Sequence, residues 1–174
     1  MANEKYIVYI DLDGVLAGFE EKLKDAFGKS REEMSKGELW GRIKKYNEEV
    51  EPWFANLPKR EDADELFQYV TNNFDNVQIL TATGKTPSDA AQQKREWVKK
   101  NYGAEVVVNT VQSANDKAVY ANPRAILIDD REKSIKPFIK AGGYGILHRD
   151  TTSTINKMKT LMRNLWRNYE NSNY

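Results

Sequence analysis

The sequence predicts an α/β protein: a doubly wound parallel sheet with a small helical cap inserted after its first strand. Two observations lead to this fold class. Short apolar runs rich in β-branched residues alternate with longer stretches of helical periodicity, as in a parallel sheet covered by helices. One connection, which leads from the first apolar run to about Val77, is far longer than a single crossover helix requires.

Five apolar runs are predicted as strands because each is nearly continuously apolar rather than alternating. Continuous apolar runs are typical of strands that are covered on both faces. The predicted strands are Tyr6–Ile10, Val77–Leu80, Glu105–Val108, Ala125–Ile128 and Tyr144–Leu147.

Helical segments are predicted between and after the later strands. The first is opened by Pro87, which suits the first helical turn, and Gly103 marks its end. The predicted helices are Ser88–Asn101, Asp116–Ala121, Glu132–Lys140 and Ser153–Asn168.

The long connection after the first strand predicts the cap. Three of its segments look helical, and prolines break the chain between them: Glu20–Phe27, Glu38–Val50 and Asp62–Asn73. An insertion at this point folds back over the strand ends. We therefore expect an α/β core of residues 1–16 and 76–174 and a helical cap of residues 17–75.

The composition excludes several classes of chemistry. A chain of 174 residues fits one domain with room for an insertion. It has no cysteine and a single histidine, so disulfides, thiolate catalysis, cysteine zinc sites and multi-histidine metal sites are excluded. The net charge of +1 gives no global basic field for nucleic acid. Demanding chemistry must use carboxylates, lysines, hydroxyls and a hard metal ion.

Carboxylates follow two of the predicted strands. Asp11 and Asp13 follow the first strand, and Asp129-Asp130 follows Ala125–Ile128. Residues i and i+2 of an extended chain point the same way, and ligands of open α/β sheets bind beyond the carboxyl ends of the strands. A lone Asp-x-Asp-Gly is a common turn. Two acidic pairs in this order indicate a site.

The predicted carboxylate cluster calls for a cation. Two carboxylates about 5 Å apart repel by roughly 3 kcal/mol at an effective dielectric constant of 20. Ligands that are all oxygen, with no histidine or cysteine, favour Mg²⁺, which leaves room for a substrate phosphate. Magnesium is therefore the expected cofactor.

Two more residues are candidates for binding that phosphate. Thr81 follows the Val77–Leu80 strand, and its hydroxyl, with nearby backbone N–H groups such as that of Ala82, can hold phosphate oxygens. Lys117, early in the Asp116–Ala121 helix, can supply positive charge to the same oxygens. Taken singly, each is an ordinary strand-end hydroxyl or surface lysine.

Taken in order, Asp11-Leu12-Asp13-Gly14-Val15, Thr81, Lys117 and Asp129-Asp130 resemble the four motifs of haloacid dehalogenase-type phosphatases. The resemblance extends from about Tyr6 to His148. The longer strings Asp11–Phe19 and Ile126–Asp130 are more specifically similar to the 5′(3′)-deoxyribonucleotidase branch, including its small bacterial and phage members. Gly18 departs from the acidic residue that relatives often carry before the phenylalanine.

The resemblance implies a mechanism. Asp11 would be the nucleophile that carries the phosphoryl group, and Asp13 would be the general acid and base. Asp11 and Asp129 would bind Mg²⁺ through their side chains and Asp13 through its backbone carbonyl. Asp130 would orient a metal-bound water or support the metal-binding side chains. Thr81, Ala82 and Lys117 would hold the phosphate.

The cap carries an unusual density of aromatic residues, which favours stacking of a nucleotide base. Through the resemblance, Phe19 matches the expected base contact best, and Trp53 and Phe54 match it loosely. Trp40 is assigned to the core of the cap. The alternative is that all four only pack the cap helices.

Several other functions compete with this interpretation. Gly84-Lys85-Thr86 resembles the end of a P-loop, but Ile79 stands where that motif needs glycine. In a signalling receiver domain the acidic pair comes early in the chain and the threonine and lysine come last. In this sequence the acidic pair Asp129-Asp130 follows Lys117. Two alternatives stay open: a related phosphatase for a polynucleotide end or a sugar phosphate, and a catalytically silent binding protein of the same fold.

The expected partner is a small nucleoside monophosphate. We expect no membrane and no stable nucleic-acid partner. A homodimer is compatible with the sequence, which leaves the oligomeric state open. The start of the chain is polar and lacks the apolar core of a signal peptide, so we expect a cytoplasmic protein.

Overall fold

The computed structural model describes residues 5–172. Five parallel strands form one sheet in the order β3-β2-β1-β4-β5, so that β1 lies at the centre. The strands are β1 Ile7–Ile10, β2 Asn76–Ala82, β3 Val108–Val111, β4 Ala125–Asp129 and β5 Tyr144–Leu147. Helices lie on both faces, which confirms the predicted doubly wound fold.

Within residues 7–172, six α-helices and two short 3₁₀ helices lie between the strands and after the last of them. The 3₁₀ helices are Arg31–Glu33 and Asn115–Tyr120. The α-helices are α1 Phe19–Phe27, α2 Lys36–Glu49, α3 Ala63–Asn73, α4 Ala90–Tyr102, α5 Glu132–Lys140 and α6 Thr151–Ser172. Among the described residues, no helix has the length and apolar character that crossing a membrane requires.

Two apolar clusters cover the two faces of the sheet. Val8 and Ile10 of β1 point to one face, where they join a cluster that includes the cap residues Trp53 and Phe54. Tyr9 points to the other face and packs with residues of β4 and α5. Since successive residues of a strand alternate between faces, a doubly covered β1 must be apolar throughout.

The register brings the carboxyl ends of three strands level with one another. Ile10 pairs with Ile79 of β2 and with Ile128 of β4. The next backbone N–H, of Asp11, donates to the Ile128 carbonyl at 2.9 Å. Asp11 therefore leaves the sheet beside Asp129, as the two strand-end motifs predicted.

The predicted strand Glu105–Val108 is wrong in its position. The strand begins at Val108, where it pairs with Ile79, and continues to Val111. A run of valines does not by itself determine which residues form the strand, because pairing with β2 sets the register. β2 ends at Ala82, two residues later than predicted.

Two predicted helices also differ in detail. The helix expected from Ser88 begins two residues later, at Ala90, and Asp89 is the residue that precedes its first turn. The helix expected at Asp116–Ala121 is the 3₁₀ helix Asn115–Tyr120, one short segment that leads directly into β4. The other helices lie within a few residues of their predicted bounds.

The connection between β1 and β2 carries α1, α2 and α3, and its ends lie side by side. Ala17 forms an antiparallel bridge with Lys59, and the Gly18 N–H donates to the Pro58 carbonyl at 2.7 Å. α3 packs against α6 and β2. The expected cap boundaries at residues 17 and 75 stay a prediction, and residues 1–4 and 173–174 of the expected core lie outside the described residues.

Candidate active site

Three carboxylates converge at the carboxyl ends of β1 and β4. One oxygen each of Asp11, Asp129 and Asp130 lies within 4.8 Å of the others. Asp11 and Asp129 are buried. Burial, together with the charges of Asp11 and Asp129, raises the pKa of Asp130 to about 7. Burial and Asp11 likewise raise the pKa of Asp129. The three carboxylates therefore repel one another, and the repulsion is expressed most in Asp130.

These residues fit a hard divalent cation. All the converging ligands are carboxylate oxygens, which Mg²⁺ prefers. The buried Oδ1 of Asp130 has no hydrogen-bond partner among the described residues, so it offers an uncommitted acceptor beside the cluster. The sequence prediction placed the metal on Asp11, Asp13 and Asp129; the side chain of Asp13 is not part of the three-carboxylate group.

Gly14 makes room for this cluster. Its φ of +83° lies in the left-handed region, and a Cβ built there would overlap the Asp130 carboxylate. The glycine therefore allows both the sharp turn after Asp13 and the close approach of the second acidic pair.

Lys117 holds two of the carboxylates. Its Nζ lies 2.8 Å from Asp11 Oδ1 and 2.5 Å from Asp129 Oδ2, and the side chain is 2% exposed. Burial alone would lower the pKa of Lys117, but attraction to the two carboxylates outweighs burial and raises it. The lysine is therefore a fixed positive charge beside Asp11, where a phosphate would need one.

Lys94 also lies at this site, although the sequence interpretation missed it. It lies on the buried face of α4, and its Nζ donates to Asp13 Oδ2 at 2.7 Å and to Thr81 Oγ1 at 3.0 Å. The same Nζ lies 4.4 Å from the centre of the Phe54 ring. The sequence signal was a lysine spaced with Ala90 and Trp97 on the helix face that is buried.

The site opens into two connected compartments. The inner compartment, of about 40 Å³, surrounds the nucleophile candidate and is lined by Asp11, Asp13, Arg31, Ala82, Ala114, Lys117, Arg131 and Ser134. The outer compartment, of about 490 Å³, shares Asp13, Arg31 and Arg131 with it and lies between cap and core. A larger shallow groove of about 920 Å³ runs between β5 and α6, away from these carboxylates.

Arg31 and Arg131 were also missed by the sequence interpretation, although both line the inner compartment. Arg31 comes from the cap, where its guanidinium lies 4.5 Å from the centre of the Phe19 ring and its Nε lies 3.5 Å from Glu20. Arg131 directly follows the second acidic pair. Motif spacing identified the carboxylates that follow the strands but gave no signal for a cap arginine.

The three aromatic candidates lie in one cluster within the cap. Phe19, Trp53 and Phe54 are at most 1% exposed, and the Phe19 ring packs against the other two. In the described chain, Phe54 alone of the three lines a compartment. Trp40, assigned to the core of the cap, lines the outer compartment beside it. A contact of Phe19 or Trp53 with a base stays a prediction.

Comparison with known families shows the family to which the chain belongs. A protein-family model described as 5′ nucleotidase, deoxy (pyrimidine), cytosolic type C protein matches residues 5–170. The chain belongs to this family. As a member of this nucleotidase family it is a phosphoric monoester hydrolase of the haloacid dehalogenase superfamily, which confirms the resemblance drawn from the motifs.

Two solved structures to which the nucleotidase chain is similar come from one organism. A haloacid dehalogenase-like family protein from Streptococcus pneumoniae is similar at 12% identity, covering 83% of this chain and 84% of its own, with a TM-score of 0.50. A hydrolase from Streptococcus pneumoniae is similar at 17% identity, covering 90% of this chain and 98% of its own, with a TM-score of 0.47. A search of curated proteins gave no match.

Proposed function

We propose that the protein is a Mg²⁺-dependent phosphatase that removes phosphate from (deoxy)nucleoside monophosphates through an aspartyl-phosphate on Asp11. The observation that carries the proposal is the position of Asp11. Asp11 directly follows the central strand, which lies between β4, with the second acidic pair, and β2, with Thr81 near its end. The Lys117 ammonium lies 2.8 Å from the Asp11 carboxylate. The cytoplasm, where such nucleotides occur, is the proposed location.

The first half of the reaction transfers the phosphoryl group. An oxygen of Asp11 attacks phosphorus, the bond from phosphorus to the nucleoside oxygen breaks, and Asp13 donates its proton to that leaving oxygen. Lys94 positions Asp13 for this step through its 2.7 Å contact. The products are the free nucleoside and an aspartyl-phosphate on Asp11.

The second half regenerates the enzyme. Asp13, now a carboxylate, takes a proton from a water that attacks phosphorus, and the bond from phosphorus to the Asp11 oxygen breaks. Inorganic phosphate leaves, and Asp11 and Asp13 return to their starting states. One residue thus serves as acid and then as base.

Positive charge around the inner compartment suits the phosphoryl group. Lys117, Arg31 and Arg131 line it, and Ala82, whose backbone N–H would hold a phosphate oxygen, lines it as well. The phosphoryl transition state spreads negative charge over its equatorial oxygens, so catalysis rests on fixed positive groups around it.

The metal would be held by Asp11 and Asp129 through their side chains and by the Asp13 backbone carbonyl, with Asp130 supporting them. When bound, Mg²⁺ supplies positive charge that offsets the crowded carboxylates and the phosphate oxygens. The protein side chains then keep the roles described above.

The outer compartment suits a nucleoside. Beside the basic residues of the cap, four apolar or aromatic residues of the cap line it: Met34, Leu39, Trp40 and Phe54. A volume of about 490 Å³ lies in the range of about 300–1,000 Å³ that small-molecule sites occupy. Stacking on an aromatic ring contributes about 1–3 kcal/mol per base. This wall favours a nucleotide over a bare sugar phosphate.

Phosphate release from nucleoside monophosphates, sugar phosphates and an aryl phosphate, with and without Mg²⁺, tests the proposal. We expect Mg²⁺-dependent turnover with a preference for deoxypyrimidine monophosphates and none in the folded Asp11→Asn variant. Turnover of sugar phosphates alone would contradict the nucleotide assignment. Normal turnover by Asp11→Asn would contradict the mechanism.

A further inference from the structure

The outer compartment carries more positive charge than one phosphate requires. Lys36, the first residue of α2, and Lys133, the second residue of α5, line the outer compartment but not the inner one. Arg31 and Arg131 line both compartments. Asp13 is the one carboxylate among the residues described as lining the outer compartment. The mouth of the site is therefore strongly basic.

The two lysines are not used elsewhere in the fold. Within residues 5–172, neither Lys36 nor Lys133 has a carboxylate within 4.0 Å, and both side chains are exposed. Other lysines of the same helices are paired along the helix surface: Lys44 lies 2.5 Å from Glu48, and Lys136 lies 2.5 Å from Glu132. Lys36 and Lys133 instead face the compartment from the cap and from the core.

Helix direction adds to the same field. Both lysines lie in the first turn of their helices, where backbone N–H groups carry partial positive charge. Positive groups on two walls of a cleft attract an anion to the space between them. The phosphate of a nucleoside monophosphate enters the inner compartment, and its base and sugar are uncharged. No anionic group of that substrate therefore lies beside Lys36 and Lys133.

We propose that the outer compartment is a subsite for a second phosphate on the sugar of the substrate. The chemical class is a nucleoside 3′,5′-bisphosphate, or the terminal nucleotide of an oligonucleotide whose neighbouring phosphodiester supplies the same charge. Lys36 and Lys133 bind that phosphate from opposite walls. The proposal rests on the proposed function, because the first phosphate is the one transferred to Asp11.

The chemistry at the first phosphate is unchanged. The bond from its phosphorus to the sugar oxygen breaks, a bond to the Asp11 oxygen forms, and Asp13 protonates the sugar oxygen. Water then completes hydrolysis to inorganic phosphate. The second phosphate stays on the product, which is a nucleoside monophosphate from a bisphosphate or an oligonucleotide with a free terminal hydroxyl.

The test compares kcat/KM for a deoxynucleoside 5′-monophosphate, the matching 3′,5′-bisphosphate and a 5′-phosphorylated dinucleotide at fixed ionic strength. We expect the bisphosphate to exceed the monophosphate by about tenfold, the size of one charge-assisted hydrogen bond. Added salt should reduce the ratio. A dinucleotide preferred to the same extent identifies the oligonucleotide end as the source; a dinucleotide turned over like the monophosphate identifies the free bisphosphate.

Matched variants locate the effect. In the double variant Lys36→Ala/Lys133→Ala the ratio of bisphosphate to monophosphate should fall to about one, with the monophosphate measured in each variant as the reference. Lys44→Ala/Lys136→Ala removes the same charge from the same two helices outside the compartment and should keep the wild-type ratio. A ratio near one in the wild type, or one that survives in Lys36→Ala/Lys133→Ala, overturns the subsite.

A binding measurement separates this proposal from the proposed function. Loss of turnover for every substrate contradicts the phosphatase assignment, whereas monophosphate turnover without a bisphosphate preference contradicts only the subsite. Calorimetry with Asp11→Asn then measures affinity directly. The bisphosphate should bind about tenfold more tightly than the monophosphate. Equal affinities overturn the subsite whatever the turnover.

Discussion

The ammonium group of Lys94 lies 2.7 Å from the Asp13 carboxylate, although the two residues are 81 positions apart in the chain. Lys94 is 1% exposed, and its other hydrogen bond goes to the Thr81 hydroxyl. A buried cation between the acid–base candidate and a phosphate-binding candidate fixes the position of both. Helix α4, which carries no motif of its own, thereby contributes a residue to the candidate active site.

Lys94→Met should lower kcat for a nucleoside monophosphate by about 10²-fold, the lower end of what general acid–base catalysis contributes. The physical reason is that Asp13 loses the group that orients it toward the leaving oxygen. An aryl phosphate, whose leaving group needs little protonation, should lose far less. Steady-state kinetics with both substrates measures the difference, and Lys94→Arg should recover part of the nucleotide rate.

A purely structural role for Lys94 predicts a different pattern of losses for the two substrates. Misfolding or loss of packing would lower turnover of the nucleotide and the aryl phosphate by the same factor. Equal losses, together with a lowered melting temperature, would therefore contradict the positioning role.

Sequence reasoning located the groups that follow strands and missed those that reach the site from helices. Asp11 and Asp129 could be predicted because each directly follows an apolar strand, and parallel strands meet at one edge. Lys94 could not, since its contact with Asp13 depends on how α4 packs against the sheet. A lysine on a buried helix face has the same sequence pattern whichever carboxylate it meets.

The cap shows the same limit. Its aromatic density was visible in the sequence, but which ring faces the cavity depends on how the insertion folds back. Trp40, assigned to the interior of the cap, lines the outer compartment, whereas Phe19 is covered by Trp53 and Phe54. The position of β3 was missed for a related reason, because pairing with β2 decides which valines form the strand.

Mg²⁺ should stabilise the protein in the absence of substrate. Asp11, Asp129 and Asp130 crowd within 4.8 Å, and a bound cation relieves their repulsion in the folded state alone. We expect saturating Mg²⁺ to raise Tm by about 5 °C or more, since stabilisation at 100 times Kd is about 2.7 kcal/mol. Thermal denaturation in Mg²⁺ and in NaCl of equal ionic strength measures the gain.

Asp129→Asn is the matched variant for the metal prediction. It keeps the shape of the side chain but removes one of the three converging charges, so the gain in Tm from Mg²⁺ should be small. A gain as large as that of the wild type would show that the cation binds elsewhere on the chain.

His148 should make stability depend on pH. The ring is 1% exposed, Nδ1 lies 2.8 Å from the Thr154 hydroxyl, and Nε2 has no hydrogen-bond partner among the described residues. Burial lowers its pKa below the usual 6.5. As pH falls below about 6.5, the unfolded chain takes up a proton that the folded chain excludes, so stability falls toward acid by up to about 1.4 kcal/mol per pH unit.

The effect of His148 is measured as the difference in stability between the wild type and the His148→Gln variant. Asp130 affects the pH dependence of stability in the opposite direction, because its pKa is raised. The folded state holds the proton of Asp130 more tightly than the unfolded state, so the contribution of Asp130 to stability falls as pH rises toward 7. We would measure the free energy of unfolding of the wild type and of His148→Gln by urea denaturation between pH 5 and 7.5, without Mg²⁺. The Asp130 contribution is common to both proteins, so it cancels in the difference between them. The stability difference should shrink as pH falls; a constant difference would mean that His148 does not titrate in this range.

Gly14 and Gly28 offer a matched pair for the role of the turn after Asp13. Both have positive φ, +83° and +66°, so alanine at either position should cost about 1–2 kcal/mol of stability through backbone strain. Only at Gly14 does the added Cβ meet another group, the Asp130 carboxylate; at Gly28 nothing lies within 4 Å. Because that carboxylate can turn aside, the extra effect should appear in metal binding rather than in folding.

Gly14→Ala should therefore lose much of the Mg²⁺-induced gain in Tm, and Gly28→Ala should keep it. Urea denaturation without metal should give similar free energies of unfolding for the two variants, which isolates the metal effect from backbone strain. An equal rise in Tm with Mg²⁺ in the two variants would mean that cation binding does not depend on the position of the Asp130 carboxylate beside Gly14. A loss confined to Gly14→Ala links the Asp-x-Asp-Gly turn to the metal site through one carboxylate.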